Sequence, residues 1–120
     1  MRAGVEKISA SAAAKMVEED GALLIDVRPM PLYGHSHVRG AVSMPFALLD
    51  RETAAATIPA FDTPVVVYCE MGVLSEMAAQ TLVEMGYSDV CDAGSIYSWP
   101  EELVSLCDGA SEVGGEANAR

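Results

Sequence analysis

The run Val65-Val66-Val67-Tyr68-Cys69, followed three residues later by Gly72, constrains this chain more than any other stretch. β-branched side chains crowd a helix but pack well on a pleated surface. A short apolar run with no polar alternation therefore reads as a strand buried on both faces. Strands of that kind belong to parallel sheets, where helices cover both sides. Downstream, Ala78, Ala79, Leu82, Val83 and Met85 recur at helical spacing after Ser75, and Gly86 stands where a helix stops. The pattern predicts strand, short loop and helix in succession, with a cysteine between the first two.

That placement has a chemical consequence. Backbone N–H groups of a tight loop and of a helix amino terminus converge on whatever the loop encloses, here the sulfur of Cys69. Their partial positive charge stabilises a thiolate, or a sulfur anion attached to it, without any cationic side chain. Cys69 is thus a candidate nucleophile, and Glu70, Met71, Gly72, Val73, Leu74 and Ser75 are the candidate substrate-binding loop. The competing explanation is a cysteine that merely ends a buried strand, since free cysteine is among the most buried residue types.

The remaining chain supplies the layers such a strand needs. Ser9 or Ser11 can cap a helix through Ala12, Ala13, Met16 and Val17 that Gly21 ends. Residues 22–27 form an apolar run of strand length closed by Arg28-Pro29. Met30 to Arg39 reads as a loop with one helical turn, Gly40 to Pro45 as a second short strand, and Phe46 to Ala56 as helical. A short strand is expected at Asp89–Asp92 and a last helix over Glu101–Leu106. The expected fold is α/β, a central parallel sheet with helices on both faces, in one domain over residues 1–108. Residues 109–120, small, polar and Gly-rich, read as a flexible tail.

Charge and cysteine usage narrow the function classes. The formal net charge is -11, and between Arg51 and Arg120 every charged side chain is acidic. Without a basic patch, nucleic acid and anionic membranes are not expected partners. The acidic half serves solubility or offers a docking face to a basic partner. Cys69, Cys91 and Cys107 lack CxxC spacing and a histidine cluster, and His35 and His37 lack further ligands at suitable spacing. No disulfide framework, metal site or cofactor is therefore expected. With no apolar run of membrane-spanning length, the expectation is a cytoplasmic protein.

Several motifs together resemble the rhodanese homology domain. Leu24-Ile25-Asp26-Val27-Arg28 is similar to its first-strand signature. Tyr33 followed by His37-Val38-Arg39-Gly40-Ala41 and Met44-Pro45 is similar to its "GHIxGA...IP" segment. Val66-Val67-Tyr68-Cys69 with Gly72 and Ser75 resembles the active loop "YCxxGxRS", and Gly86-Tyr87 with Gly94 and Trp99 resembles the closing "GY...GGxxxW". The order and spacing of four motifs over about a hundred residues make the likeness specific. The resemblance implies a sulfurtransferase in which Cys69 takes a sulfane sulfur from a donor, carries it as a persulfide and passes it to a thiol or protein acceptor. It places His37 in a structural turn. Related phosphatases and arsenate reductases end a longer cradle with arginine, and Ser75 and Glu76 stand there instead.

Departures from the family pattern sharpen the expectation. Its active loop often carries arginine at the position of Leu74, whereas this loop holds Glu70, Met71, Val73 and Leu74 and no cation. Thiosulfate, a small dianion, is thus expected to be a poor donor, and a neutral or protein-bound persulfide a better one. Leu32 stands where relatives often have a glutamate that can pair with Arg28, so Arg28 must find another acceptor or face the cleft. Ser36 and Ser95 replace usual glycines. Asp26, Arg28, His37 and Trp99 are candidates for cleft lining or structural support, with Asp26 bonding turn amides. Cys91 is expected to be inert and Cys107 to be a possible resolving thiol. The alternative is a rhodanese-like binding module whose chemistry has faded.

Overall fold

A computed structural model describes residues 4–106; the expected tail and Cys107 lie outside them. Five parallel strands form one sheet in the order β1-β6-β5-β2-β4. They are β1 (Val5–Lys7), β2 (Leu23–Asp26), β4 (Val42–Ser43), β5 (Val65–Cys69) and β6 (Val90–Ser95). A small antiparallel pair joins β3 (His37–Val38) to β7 (Leu103–Val104). The helices are α1 (Ala10–Asp20), α2 (Met30–His35), α3 (Arg51–Thr57) and α4 (Val73–Glu84).

The valine run is the middle strand, and its alternation divides the core. Val65, Val67 and Cys69 face Ala54 and Ile58 of the α3 segment and Ala78, Ala79 and Leu82 of α4. Val66 and Tyr68 face Ala10 and Ala13 of α1, with Trp99 and Ile96. Each fully buried valine stabilises the fold by about 1.5–3 kcal/mol. A one-residue slip would carry the Tyr68 hydroxyl into the α3/α4 layer, away from its polar partners, so chemistry as well as volume fixes the register.

Local signals set the boundaries. The Ser9 hydroxyl accepts the Ala12 N–H at 3.0 Å, and Gly21 closes α1 with a φ of 69°. The expected helix over Phe46–Ala56 is broken: a single 3-10 turn at Phe46–Leu48 precedes α3, which starts anew from an Asp50/Thr53 capping box. The strand expected at Asp89–Asp92 runs on to Ser95 through an irregularity in pairing between Val67/Tyr68 and β6.

Two expectations are corrected. The Glu101–Leu106 segment is not the expected helix, because Leu103–Val104 pairs with His37–Val38. Its apolar residues satisfy a neighbouring edge rather than a helical stripe. Helix α4 begins at Val73, not Ser75, because Gly72, at φ 92° and ψ -8°, already serves as its N-cap. That left-handed conformation strains any residue with a Cβ. Val73, Leu74 and Ser75 are therefore the first helical turn rather than loop.

Candidate functional site

Strand β5 ends on Cys69 and α4 begins at Val73 after three intervening residues, so the chain must reverse around the cysteine sulfur. The left-handed Gly72 makes the reversal, and its N–H donates to Cys69 Sγ at 2.9 Å. The first-turn N–H groups of α4 have no intrahelical acceptors, so the helix adds positive potential on the same side. Ser75, fully buried in that first turn, donates its hydroxyl to the Gly72 carbonyl at 3.2 Å and stiffens the cap. Cys69 is 1 % exposed and lies at the base of a cleft of about 300 Å³.

The cleft is formed by Arg28, Pro29 and Leu32 on one side and by Glu70, Met71, Val73 and Leu74 on the other. Met71 and Val73 project into solvent at 74 % and 63 % exposure, giving the sulfur an apolar rim. Pro29 and Leu74 also border a smaller hollow with Pro45 and Phe46. Apart from Arg28 and Glu70, the lining side chains carry no charge.

Arg28 is buried and committed elsewhere. Its Nε donates to both Asp26 carboxylate oxygens, at 3.0 and 3.1 Å, and its Nη2 donates to Oδ2 at 2.8 Å. Nη2 also donates to the Leu32 carbonyl at 3.3 Å and to the Ser36 carbonyl. These backbone acceptors answer the missing glutamate at position 32: the arginine anchors the α2 turn. Burial disfavours its charge, but bonding and attraction from Asp26 outweigh burial and hold its pKa above the ordinary value. Asp26 also accepts the Arg28 N–H at 2.9 Å and the Tyr68 hydroxyl at 2.8 Å, while the Tyr68 oxygen accepts the Val38 N–H at 3.0 Å. Burial, then the Asp26 charge, push the Tyr68 phenol pKa far up. Asp26 thus bonds a turn amide, as expected, within a closed polar network beside the cysteine.

His37 and Trp99 stand outside the residues lining the Cys69 cleft. The His37 ring lies 3.9 Å from the Tyr33 ring in a near-parallel stack, and its Nδ1–H donates to the Tyr33 carbonyl at 2.7 Å. Trp99 packs against Tyr68 with centroids 5.7 Å apart and borders a different hollow, with Val17, Leu24 and Arg39. Cys91 is buried near Met16, and burial, then Glu6 and Asp89, push its thiol up to about 11. No group of three or more His, Cys, Asp or Glu suited to a metal ion occurs among the described residues.

Two residues at the site escape the sequence patterns. The Ser95 hydroxyl donates to the Glu70 carbonyl at 2.6 Å and accepts the Tyr97 N–H at 3.0 Å. Tyr97 in turn donates its hydroxyl to Glu70 Oε2 at 2.7 Å. Ser95, like Ser36, is extended, with φ -93° and -162° respectively, so neither position demands glycine. A serine at a strand end before a short helical turn is a capping signal, and it was the available hint.

Comparisons with known proteins agree with this architecture. Residues 9–102 match the rhodanese-like domain family. The chain is 36 % identical over 77 residues to the thiosulfate sulfurtransferase GlpE of Pseudomonas fluorescens, covering 64 % of this chain and 68 % of that protein. It is 39 % identical over 72 residues to the thiosulfate sulfurtransferase PspE of Escherichia coli, covering 60 % and 68 %. Among solved structures, a rhodanese from E. coli superposes with a TM-score of 0.64 at 34 % identity, over 70 % of this chain and 98 % of that one. A rhodanese-like domain from Anabaena superposes with a TM-score of 0.76 at 19 % identity, over 90 % and 85 %, which speaks for the fold alone. In fold, in motif order and in sequence, the chain belongs to the rhodanese-like sulfurtransferase family.

Proposed function

We propose that this sulfurtransferase works through a persulfide on Cys69. The observation that carries the reading is the sulfur at the base of an open apolar cleft, accepting an N–H from Gly72 beside a helix amino terminus. In the loading step the Cys69 thiolate attacks the outer sulfur of a donor R–S–SH. A new S–S bond forms, the donor S–S bond breaks, and R–S⁻ leaves. An acceptor thiolate then attacks the outer sulfur, takes it away as a persulfide and returns Cys69 as a thiolate. No general base is required once the attacking sulfur is anionic, and His37, occupied with Tyr33, is not assigned one.

The donor is a persulfide on a small molecule or a protein rather than thiosulfate. The cleft's arginine is already compensated by Asp26, its remaining ionised group is Glu70, and its walls are apolar. A dianion entering there loses hydration and gains no free cation. Comparing kcat/KM for thiosulfate and a low-molecular-weight persulfide, with one common acceptor, tests the assignment. The persulfide is expected to be preferred by at least about tenfold, a difference of about 1.4 kcal/mol. A preference for thiosulfate would overturn it. Failure of both donors would favour a docking module whose apolar rim and acidic surface bind a basic protein.

A further inference from the structure

The charge of the Cys69 cleft is unevenly held. Arg28 and Glu70 are the ionised residues lining it, and Arg28 is neutralised by its bidentate partner Asp26. The cleft therefore carries the uncompensated charge of one carboxylate, on the residue next to the sulfur. That carboxylate is held on purpose-built partners at both ends of its residue. Tyr97 donates to Oε2 at 2.7 Å, Ser95 donates to the Glu70 carbonyl at 2.6 Å, and the Tyr97 N–H closes the ring of bonds onto the Ser95 hydroxyl at 3.0 Å. Glu70 directly follows β5, Ser95 ends β6 and Tyr97 lies in the turn after it, so two neighbouring strand ends cooperate in placing one negative charge. The exposed Tyr97 phenol, a proton donor at neutral pH in any case, is held above its ordinary pKa, first by the bond to Glu70 and then by its charge.

We propose that Glu70, positioned by Tyr97 and Ser95, determines specificity in the Cys69 cleft by selecting small sulfur compounds that carry an alkylammonium group beside the reacting sulfur over anionic ones. The inference deepens the persulfide reading by naming the charge class of the small thiol or persulfide, and a cleft of about 300 Å³ suits a compound of that size. An ammonium group near Glu70 gains attraction from its carboxylate, whereas a carboxylate or sulfonate there meets like charge with no free cation to answer it.

The test does not need a persulfide. Rates of Cys69 modification are measured with aminoethyl, methyl and sulfonatoethyl methanethiosulfonate; in each case the Cys69 thiolate attacks the reagent's sulfenyl sulfur, a mixed disulfide forms, the sulfur–sulfonyl bond breaks and methanesulfinate leaves. Subtracting the rates of C69S removes the other cysteines. The aminoethyl-to-sulfonatoethyl rate ratio is expected to fall about tenfold in E70Q and about two- to threefold in Y97F, with the neutral reagent changing least. In the unmodified protein the same ratio should fall as salt rises from about 0.05 to about 0.5 M. Because the chain's formal net charge of -11 also biases this ratio, Y97F decides the matter should E70Q fold poorly. A ratio unchanged in E70Q, or flat with salt in the unmodified protein, would overturn the proposal. In a parallel arm, Cys69 loaded with persulfide sulfur is offered cysteamine, mercaptoethanol and mercaptopropionate as acceptors. The E70Q change should slow cysteamine and speed mercaptopropionate. If the protein cannot be loaded, the persulfide reading falls while the reagent rates still decide the charge selection.

Discussion

The ends of β2 and β5 lie side by side in the sheet, Asp26 beside Tyr68, yet they serve opposite purposes. At the end of β2, the buried side chains of Asp26, Arg28 and Tyr68 close on one another and on the Ser36, Leu32 and Val38 backbone. At the end of β5, one residue beyond Tyr68, Cys69 meets a single N–H and opens to a cleft. Polar side chains at strand ends near a cysteine invite a catalytic reading. The difference teaches that a buried ionised pair with every partner accounted for is architecture, and that the sparsely partnered sulfur beside it is the chemical group.

This contrast can be broken from either side. The largest effect on stability is expected from Arg28→Met, which leaves Asp26 ionised without its partner. Urea unfolding should show a loss of about 3–5 kcal/mol, part of it recovered when Asp26→Asn is added. A smaller and pH-dependent effect comes from Tyr68 of that network and from Cys91, buried near Met16. Tyr68 and Cys91 keep their protons in the fold above their ordinary values of 10.0 and 9.0. The unfolded chain sheds these protons first, so it binds fewer of them at alkaline pH and stability must fall as pH rises. The fall starts near pH 9 through Cys91, whose contribution is complete by about 11, and steepens above pH 10 through Tyr68. Each group, while titrating only in the unfolded chain, contributes a slope of about 1.4 kcal/mol per pH unit, and Tyr68→Phe should flatten the part above pH 10.

On the other side of the comparison, Gly72→Ala forces a Cβ onto a φ of 92°. A loss of about 1–2 kcal/mol in unfolding experiments is expected, with a larger proportional slowing of Cys69 alkylation because the N–H that meets the sulfur is displaced. Alkylation that stays at the parent rate would detach the loop geometry from the thiol chemistry. The smallest effect belongs to neither region. Lys7→Ala removes an exposed ion pair to Glu76 and should change unfolding free energy by less than about 1 kcal/mol.

Much of this was legible in the residues and some was not. The valine run, the cap at Ser9, the stop at Gly21 and the candidate cysteine follow from local patterns that tertiary structure then reinforces. Strand β1, three residues with two of them exposed, has no pattern to read and exists only because β6 pairs with it. The segment around Leu103–Val104 reads locally as a helix and pairs as a strand for the same reason: its conformation comes from a distant partner, His37–Val38. At the site, Gly72 signalled the turn but not that the helix would begin directly after it. The roles of Ser95 and Tyr97 depend on β5 and β6 being neighbours and on the offset that the pairing irregularity introduces between them.

The central claim is that Cys69 carries the sulfur, and intact mass spectrometry tests it most directly. The protein and its Cys69→Ser variant are each incubated with a low-molecular-weight persulfide and, separately, with thiosulfate. A sulfur-sized mass gain that requires Cys69, is reversed by mild reductant and forms more readily from the persulfide is the predicted result. No gain from either donor, or an equal gain in Cys69→Ser, would contradict the account.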